Sequence, residues 1–244
     1  MRVVTGEAKG RKLKAPKTTG TRPIIDRVKT ALFDILSTRV EDARFLDLFA
    51  GTGSVGIEAL SRGAASATFI EMSHSVLKLV RENLKITGLA DRAETIHADA
   101  FKFLQNCQDE KGQGTRQGHP YHPRDGANIV YGRGTPGGYP AAGNSTAGGD
   151  PLRRPCPQYD IIYVAPPQYH EMAARALGIL DISPLVAESG LVIIQIHPKE
   201  RAGVAAVPLT RLQLTDERKY GSTLLMFYEM KREHSAHVDA RAET

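Results

Sequence analysis

The feature that most constrains this sequence is a short apolar segment that runs straight into a glycine turn, Phe45-Leu46-Asp47-Leu48-Phe49-Ala50-Gly51-Thr52-Gly53-Ser54-Val55-Gly56. Residues 45–49 read as a buried strand, 51–56 as a turn, and 55–60 as the start of a helix that Gly63 ends. Gly51 and Gly53 let the backbone pass close to a ligand with no Cβ in its path. Gly56 lets helix and strand approach each other. This spacing alone serves many ligands and narrows the choice only to a nucleoside-type group.

The flanking sequence repeats the alternation. Residues 67–71 form a second strand, and Val76, Leu77, Val80 and Leu84 mark one face of a helix closed by Gly88. Residues 93–96 lead to Asp99, and the apolar runs 161–164 and 191–194 fit buried strands. Alternating strands and helices of this length predict a mostly parallel sheet covered on both faces, an α/β Rossmann-like fold. Two late segments, 212–214 and 224–228, lie too close for a helical crossover, so the sheet is expected to end with an antiparallel strand. Before the glycine turn, Ile25, Val28, Leu32, Ile35 and Leu36 have helical spacing after Pro23 and predict a helix docked by that face.

Acidic residues at successive strand ends separate a dinucleotide from a methyl donor. Glu71 ends the second strand, where a carboxylate accepts the hydroxyls of a ribose. Asp99 ends the third and is positioned for an adenine amino group, with Phe101 or neighbouring apolar side chains against the ring. Asp47 stands just before the turn, where a dinucleotide would bring pyrophosphate and S-adenosylmethionine an ammonium and a sulfonium. Three carboxylates suit the cationic ligand. The expected cofactor is S-adenosylmethionine, held by Asp47, Gly51, Gly53, Glu71, Asp99 and Phe101.

Charge is unevenly spread. The chain carries +5 overall, but residues 1–29 hold nine Lys/Arg against two acids, a net of +7. A basic arm on a near-neutral body suits a polyanion, because each neutralised phosphate releases counterion. Arg2, Lys9, Arg11, Lys12, Arg22 and Arg27 are the expected RNA contacts, with residues 1–22 a hairpin or extended arm. From residue 107 to 157, 51 residues include 11 Gly and 7 Pro, which reads as an unstructured low-complexity insertion interrupting a domain at 23–230. Tyr121, Tyr131 and Tyr139 within it would suit base stacking were it to order on RNA. The tail, 231–244, is polar and reads as disordered. Cys107 and Cys156 have no partner at zinc-ligand spacing, so no metal is expected and free thiols are the simpler reading; pairing at the base of the insertion is the alternative. No apolar run is long enough to span a membrane and no leader is legible, so a cytoplasmic location is expected; the expected state is a monomer.

The order of several motifs resembles the RsmD-like methyltransferases, which methylate the exocyclic N2 of a guanine in 16S ribosomal RNA. The matching pieces are Gly6 with Lys9-Gly10-Arg11-Lys12-Leu13, Thr21-Arg22-Pro23 with Asp26-Arg27-Val28-Lys29, the turn 47–53, Leu60-Ser61-Arg62-Gly63-Ala64, and Arg218-Lys219-Tyr220-Gly221. They span most of residues 1–104 and 159–230. The resemblance implies a class I methyltransferase with a seven-stranded sheet whose last strand is reversed, acting on ribosomal RNA or an assembling small subunit. Amino-methyltransferases of this kind end the fourth strand in Asp/Asn-Pro-Pro and an aromatic. An exocyclic amine is a poor nucleophile, so a side-chain oxygen and a backbone carbonyl hold its N–H bonds while the aromatic stacks on the flipped base. Here the segment reads Val164-Ala165-Pro166-Pro167-Gln168-Tyr169, with Ala165 at the carboxylate or amide position and the aromatic one place later. The catalytic residues implied are Pro166, Pro167, Gln168 and Tyr169. Other readings of the same residues are a non-catalytic RNA-binding protein, a DNA amino-methyltransferase and an NAD enzyme.

Overall fold

A computed structural model describes residues 1–15, 25–107, 130–131, 157–168 and 171–231. Arg22, Tyr169, Cys156, most of the insertion and the tail beyond Lys231 lie outside the described residues. Five parallel strands form the centre: β1 (Arg44–Asp47), β2 (Ser66–Glu71), β3 (Ala93–His97), β5 (Tyr159–Val164) and β6 (Val186–Ile196). Two further strands, β7 (Leu212–Tyr220) and β8 (Thr223–Met230), form a hairpin, and β4 is the pair Val130–Tyr131. The sheet order is β4-β3-β2-β1-β5-β6-β8-β7.

Side chains alternate across this sheet and feed two cores. Phe45, Phe69, Ile161 and Ile193 face α1 (Asp26–Leu36), α2 (Ser54–Ser61) and α3 (His74–Thr87). Leu46, Ile70, Ile162 and Ile194 face α4 (Ala100–Asn106), α5 (Met172–Ile182) and α6 (Arg201–Ala205). Both faces are covered, which is why β5 and β6 carry the unbroken apolar runs 161–164 and 191–194.

The antiparallel strand is found, and three other expectations are corrected. The last strand in sequence, β8, is the reversed one as expected, and with its buried run Leu224–Tyr228 it inserts between β6 and β7. The more exposed β7, bearing Asp216, Glu217, Arg218 and Lys219, takes the edge, where charged side chains discourage further pairing. The insertion is not wholly without secondary structure, since Val130 and Tyr131 pair antiparallel with Thr95 and Glu94 at the open edge of β3. Helix α1 buries Val28, Lys29, Leu32, Phe33 and Leu36, while Ile25 and Ile35 are exposed. Cys107 is disulfide-bonded rather than a free thiol.

The basic N-terminal segment, expected as a hairpin or extended arm, forms a small hairpin that is docked on the body. Val3 and Gly10 N–H donate to Arg11 and Val3 carbonyls, closing a small hairpin around the Arg2–Lys12 bridge, and Val3, Ala8 and Leu13 are buried in the first core. Glu58 in α2 holds it there. Its carboxylate accepts from Val4 N–H at 2.8 Å and Thr5 N–H at 2.9 Å, and faces Lys29 Nζ at 3.1 Å and Arg62 Nε at 3.0 Å. Lys29 Nζ also donates to the Arg2 carbonyl at 2.6 Å. Gly6 lies so close to α2 that a Cβ there would sit 1.7 Å from the Ser61 carbonyl oxygen. Lys29, one of the nine basic residues counted toward an RNA-binding arm, is therefore an internal structural cation.

Lys29 and Glu58 are both fully buried, so removing one leaves an uncompensated charge. Lys29→Met is expected to lower the unfolding free energy by about 3–5 kcal/mol in urea titration. Lys9→Met, on the exposed turn, should change it by less than about 0.5 kcal/mol.

Candidate functional site

The order of the parallel strands reverses between β1 and β5, and a cavity of about 480 Å³ opens there at the strands' C-terminal ends. Asp47, Gly51, Glu71, Asp99, Pro166, Pro167 and Gln168 all line it, joined by Phe49, Met72, Ala98, Tyr163, Ala165 and Gln195. The glycine turn is shaped by backbone need. Gly51 and Gly53 have φ of 52° and 74°, and a Cβ on Gly56 would meet the Phe69 ring at 2.4 Å. A Cβ on Gly51 would meet nothing within 4 Å, so that glycine opens onto the cavity.

Asp47 is strongly perturbed in the cavity. Its Oδ2 accepts from Gly56 N–H at 3.2 Å, while Oδ1 is buried with no hydrogen-bond partner. Burial, opposed by the Gly56 bond and reinforced by the charge of Glu71, pushes its carboxyl up to about 7. An unpaired buried carboxylate oxygen is costly and calls for a donor from the cavity.

The other two carboxylates already bind backbone. Glu71 accepts from Gly51 N–H at 3.0 Å and from Ser73 N–H at 2.8 Å, which ties the glycine turn to the end of β2. Each carboxylate oxygen keeps a second lone pair, so ribose hydroxyls would add to these bonds. Asp99 caps α4 through one oxygen, accepting from Phe101 and Lys102 N–H at 3.0 Å, and its other oxygen is not used by that cap. Phe101 itself does not line the cavity. It is buried edge-on to Phe49, with Arg175 over its ring at 4.1 Å, and Phe49, Ile70, Met72 and Ala98 supply the apolar lining instead. Among the described residues that line the cavity there is no Lys or Arg, so no side-chain cation there would pair with a pyrophosphate. The residues fit an adenosyl group that ends in an ammonium and a sulfonium.

Sequence reasoning missed Tyr163 and Gln195. The Tyr163 hydroxyl donates to Gln195 Oε1 at 2.5 Å, bridging β5 and β6 at the cavity. Burial and then the charge of Asp47 hold this phenol protonated, well above its usual range. Both residues lie in ordinary apolar strand runs, and only the sheet pairing brings them together.

Of the expected RNA contacts, Arg2, Lys9, Arg11, Lys12 and Arg27 are exposed, and Arg2 also pairs with Asp26 at 3.5 Å. The docked segment reaches the cavity's edge: Thr52, which lines it, donates from its hydroxyl to Met1 Sδ, and Asn83 Nδ2 donates to both Thr52 and Lys14 carbonyls. Among the described residues, no His/Cys/Asp/Glu cluster could hold a metal ion, and no helix is long and apolar enough to cross a membrane.

Comparison with known proteins agrees with this architecture. Residues 1–115 match the family model described as Conserved hypothetical protein 95. Ribosomal RNA small subunit methyltransferase D of Escherichia coli K12 is 44% identical over 104 residues, covering 43% of this chain and 52% of that protein. The chain spans about half the length of the curated relatives it matches. The solved structure of Escherichia coli yhhF superposes with a TM-score of 0.66 at 26% identity, covering 95% of this chain and 98% of that one. The RNA methyltransferase of Salinibacter ruber, in complex with S-adenosyl-L-homocysteine, superposes with a TM-score of 0.52 at 13% identity over 89% of this chain and 99% of that one, a likeness of fold. The resemblance read from the sequence therefore holds: the chain is similar to ribosomal RNA small subunit methyltransferase D over its first half and has the Rossmann-like methyltransferase fold over its described residues.

Proposed function

We propose that this protein transfers a methyl group from S-adenosylmethionine to the exocyclic N2 of a guanine in small-subunit ribosomal RNA. The observation that carries the reading is the cavity at the β1/β5 reversal, lined by three carboxylates, by no described Lys or Arg, and by Pro166-Pro167. The bound cofactor supplies an electrophilic methyl on a sulfonium. Asp47 binds its ammonium through the unpaired Oδ1, Glu71 its ribose hydroxyls, and Asp99 its adenine amine. The Pro166 carbonyl accepts one N–H of the target amine, with Gln168 and Tyr169 beside the base. Arg2, Lys9, Arg11, Lys12, Arg22 and Arg27 grip phosphates, and the protein acts as a cytoplasmic monomer on rRNA or the assembling subunit. The rRNA substrate is supported by the named relative, and the basic surface by the exposure of the described cations. Ala165 favours one second reading, a cofactor-binding RNA-binding protein without turnover.

Labelled methyl from the donor is expected in small-subunit rRNA, supplied naked or as assembling particles, and not in duplex DNA. Donor binding without incorporation would establish the second reading instead. Arg11→Glu and Lys12→Glu should each weaken RNA binding and reduce the slope of log affinity against log salt by about 1, with donor binding unchanged.

Asp47 generates a pH test. Its folded pKa, about 7, lies above the ordinary 3.8, so the folded state holds the extra proton between those values. Its ionisation therefore costs nothing below about pH 4 and erodes stability as pH rises through about 7. Asp47→Asn should be stabilised relative to the wild type more at pH 8 than at pH 5 in urea titrations. A ligand ammonium binds the ionised form, so S-adenosylhomocysteine affinity should fall by up to about tenfold per unit as pH drops below 7. In calorimetry Asp47→Asn should bind more weakly and lose that dependence.

A further inference from the structure

Ala165 leaves no side-chain acceptor at the end of β5, where the proposed reaction needs one, and the sheet register identifies what stands beside it. Val164 pairs with Ile194 across β5 and β6, so one step onward Ala165 adjoins Gln195, and both line the cavity. Strand alternation puts Tyr163, Ala165 and Gln195 on the face that Asp47 also occupies, since Asp47 pairs with Tyr163. Gln195 is half-buried, so its amide is both held and reachable.

The amide is also oriented. Tyr163 is buried at 2% exposure and its hydroxyl is a donor to Gln195 Oε1 at 2.5 Å. An amide oxygen has two lone pairs, and Tyr163 uses one. The second is available to a donor entering from the cavity. A methyl side chain at residue 165 makes room for that donor, where an aspartate or asparagine would occupy the space.

We propose that Gln195, oriented by Tyr163, supplies the side-chain oxygen that receives one N–H of the target amine, in the place of the acceptor absent at Ala165. The inference rests on the methyl-transfer reading above. Gln195 Oε1 takes one N–H and the Pro166 carbonyl the other, which turns the nitrogen lone pair toward the methyl carbon. The lone pair forms the N–C bond as the C–S bond breaks, with its electrons remaining on sulfur as a thioether. The methylated nitrogen then releases its proton to water. Gln195 acts as a catalytic residue by contact with the reacting amine, and Tyr163 is its positioning residue.

The test uses the full chain, labelled donor and rRNA. Gln195→Leu, which keeps the bulk and removes the oxygen, is expected to lower kcat by about 10²–10³-fold, the range for losing one preorganised hydrogen-bonding group. S-adenosylhomocysteine affinity and the KM for RNA should stay at wild-type values. Tyr163→Phe should lower kcat by less, again without a change in KM. Adding Ala165→Asp or Ala165→Asn to Gln195→Leu should recover rate, an outcome that a merely structural role for Gln195 would not produce. Wild-type kcat in Gln195→Leu, parallel loss of cofactor binding, or no recovery with either replacement at 165 would overturn the inference while leaving the methyl-transfer reading intact. A wild-type protein that binds the donor but methylates nothing would overturn that reading, and this inference with it, before any variant is made.

Discussion

The carboxylate of Glu58 is the point on which the arrangement of the N-terminal half depends. It sits in the middle of α2, fully buried, and is met by two backbone N–H groups of the N-terminal segment, by Lys29 from α1 and by Arg62 from its own helix. Taking a carboxylate out of water costs several kcal/mol unless its lone pairs are used, and here four donors use them. The consequence is geometric. The helix that begins at the glycine turn is tied to both preceding segments, so the turn's position is set by contacts on its far side as well as by β1. A hydrophobic replacement would leave the Val4 and Thr5 N–H groups without the acceptors Glu58 supplies.

The cavity shows the opposite strategy. Where Glu58 is fully satisfied, Asp47 at the end of β1 is left with one oxygen unpaired, beside Glu71 and a protonated Tyr163. The protein holds this group in a destabilised state that a ligand cation would relieve, and strain of this kind concentrates where binding energy is wanted. Glu71 and Asp99 are tied to backbone N–H groups and cannot swing away, so the site's negative character is built before any ligand arrives. Preorganisation of this sort reduces the ordering that binding would otherwise require.

Much of this was legible in the residues. The glycine spacing, the apolar runs and the three acids at strand ends led to the fold and to Asp47, Glu71 and Asp99 as cavity residues, because strand alternation and turn chemistry are local rules. Phe101 was assigned to the cavity from its place after Asp99, yet the first turn of α4 directs it beneath Phe49. Lys29 was counted as surface charge because a lysine's environment cannot be read from its neighbours in sequence. Ile25 and Ile35 were expected to be buried, but they lie outside the stripe of α1 that contains Phe33.

The sequence by itself determined the strand, turn and helix that build the cofactor cavity, and the concentration of positive charge in the first 29 residues. Tertiary structure alone decided which of those charges face solvent, that β8 rather than β7 takes the buried place in the sheet, and that Gln195 and Tyr163 meet beside Ala165. The reason is one of range. Periodicity and turn residues act over a few positions, whereas burial of an ion pair, the order of strands and a hydrogen bond between residues 32 apart depend on which distant segments fold against each other.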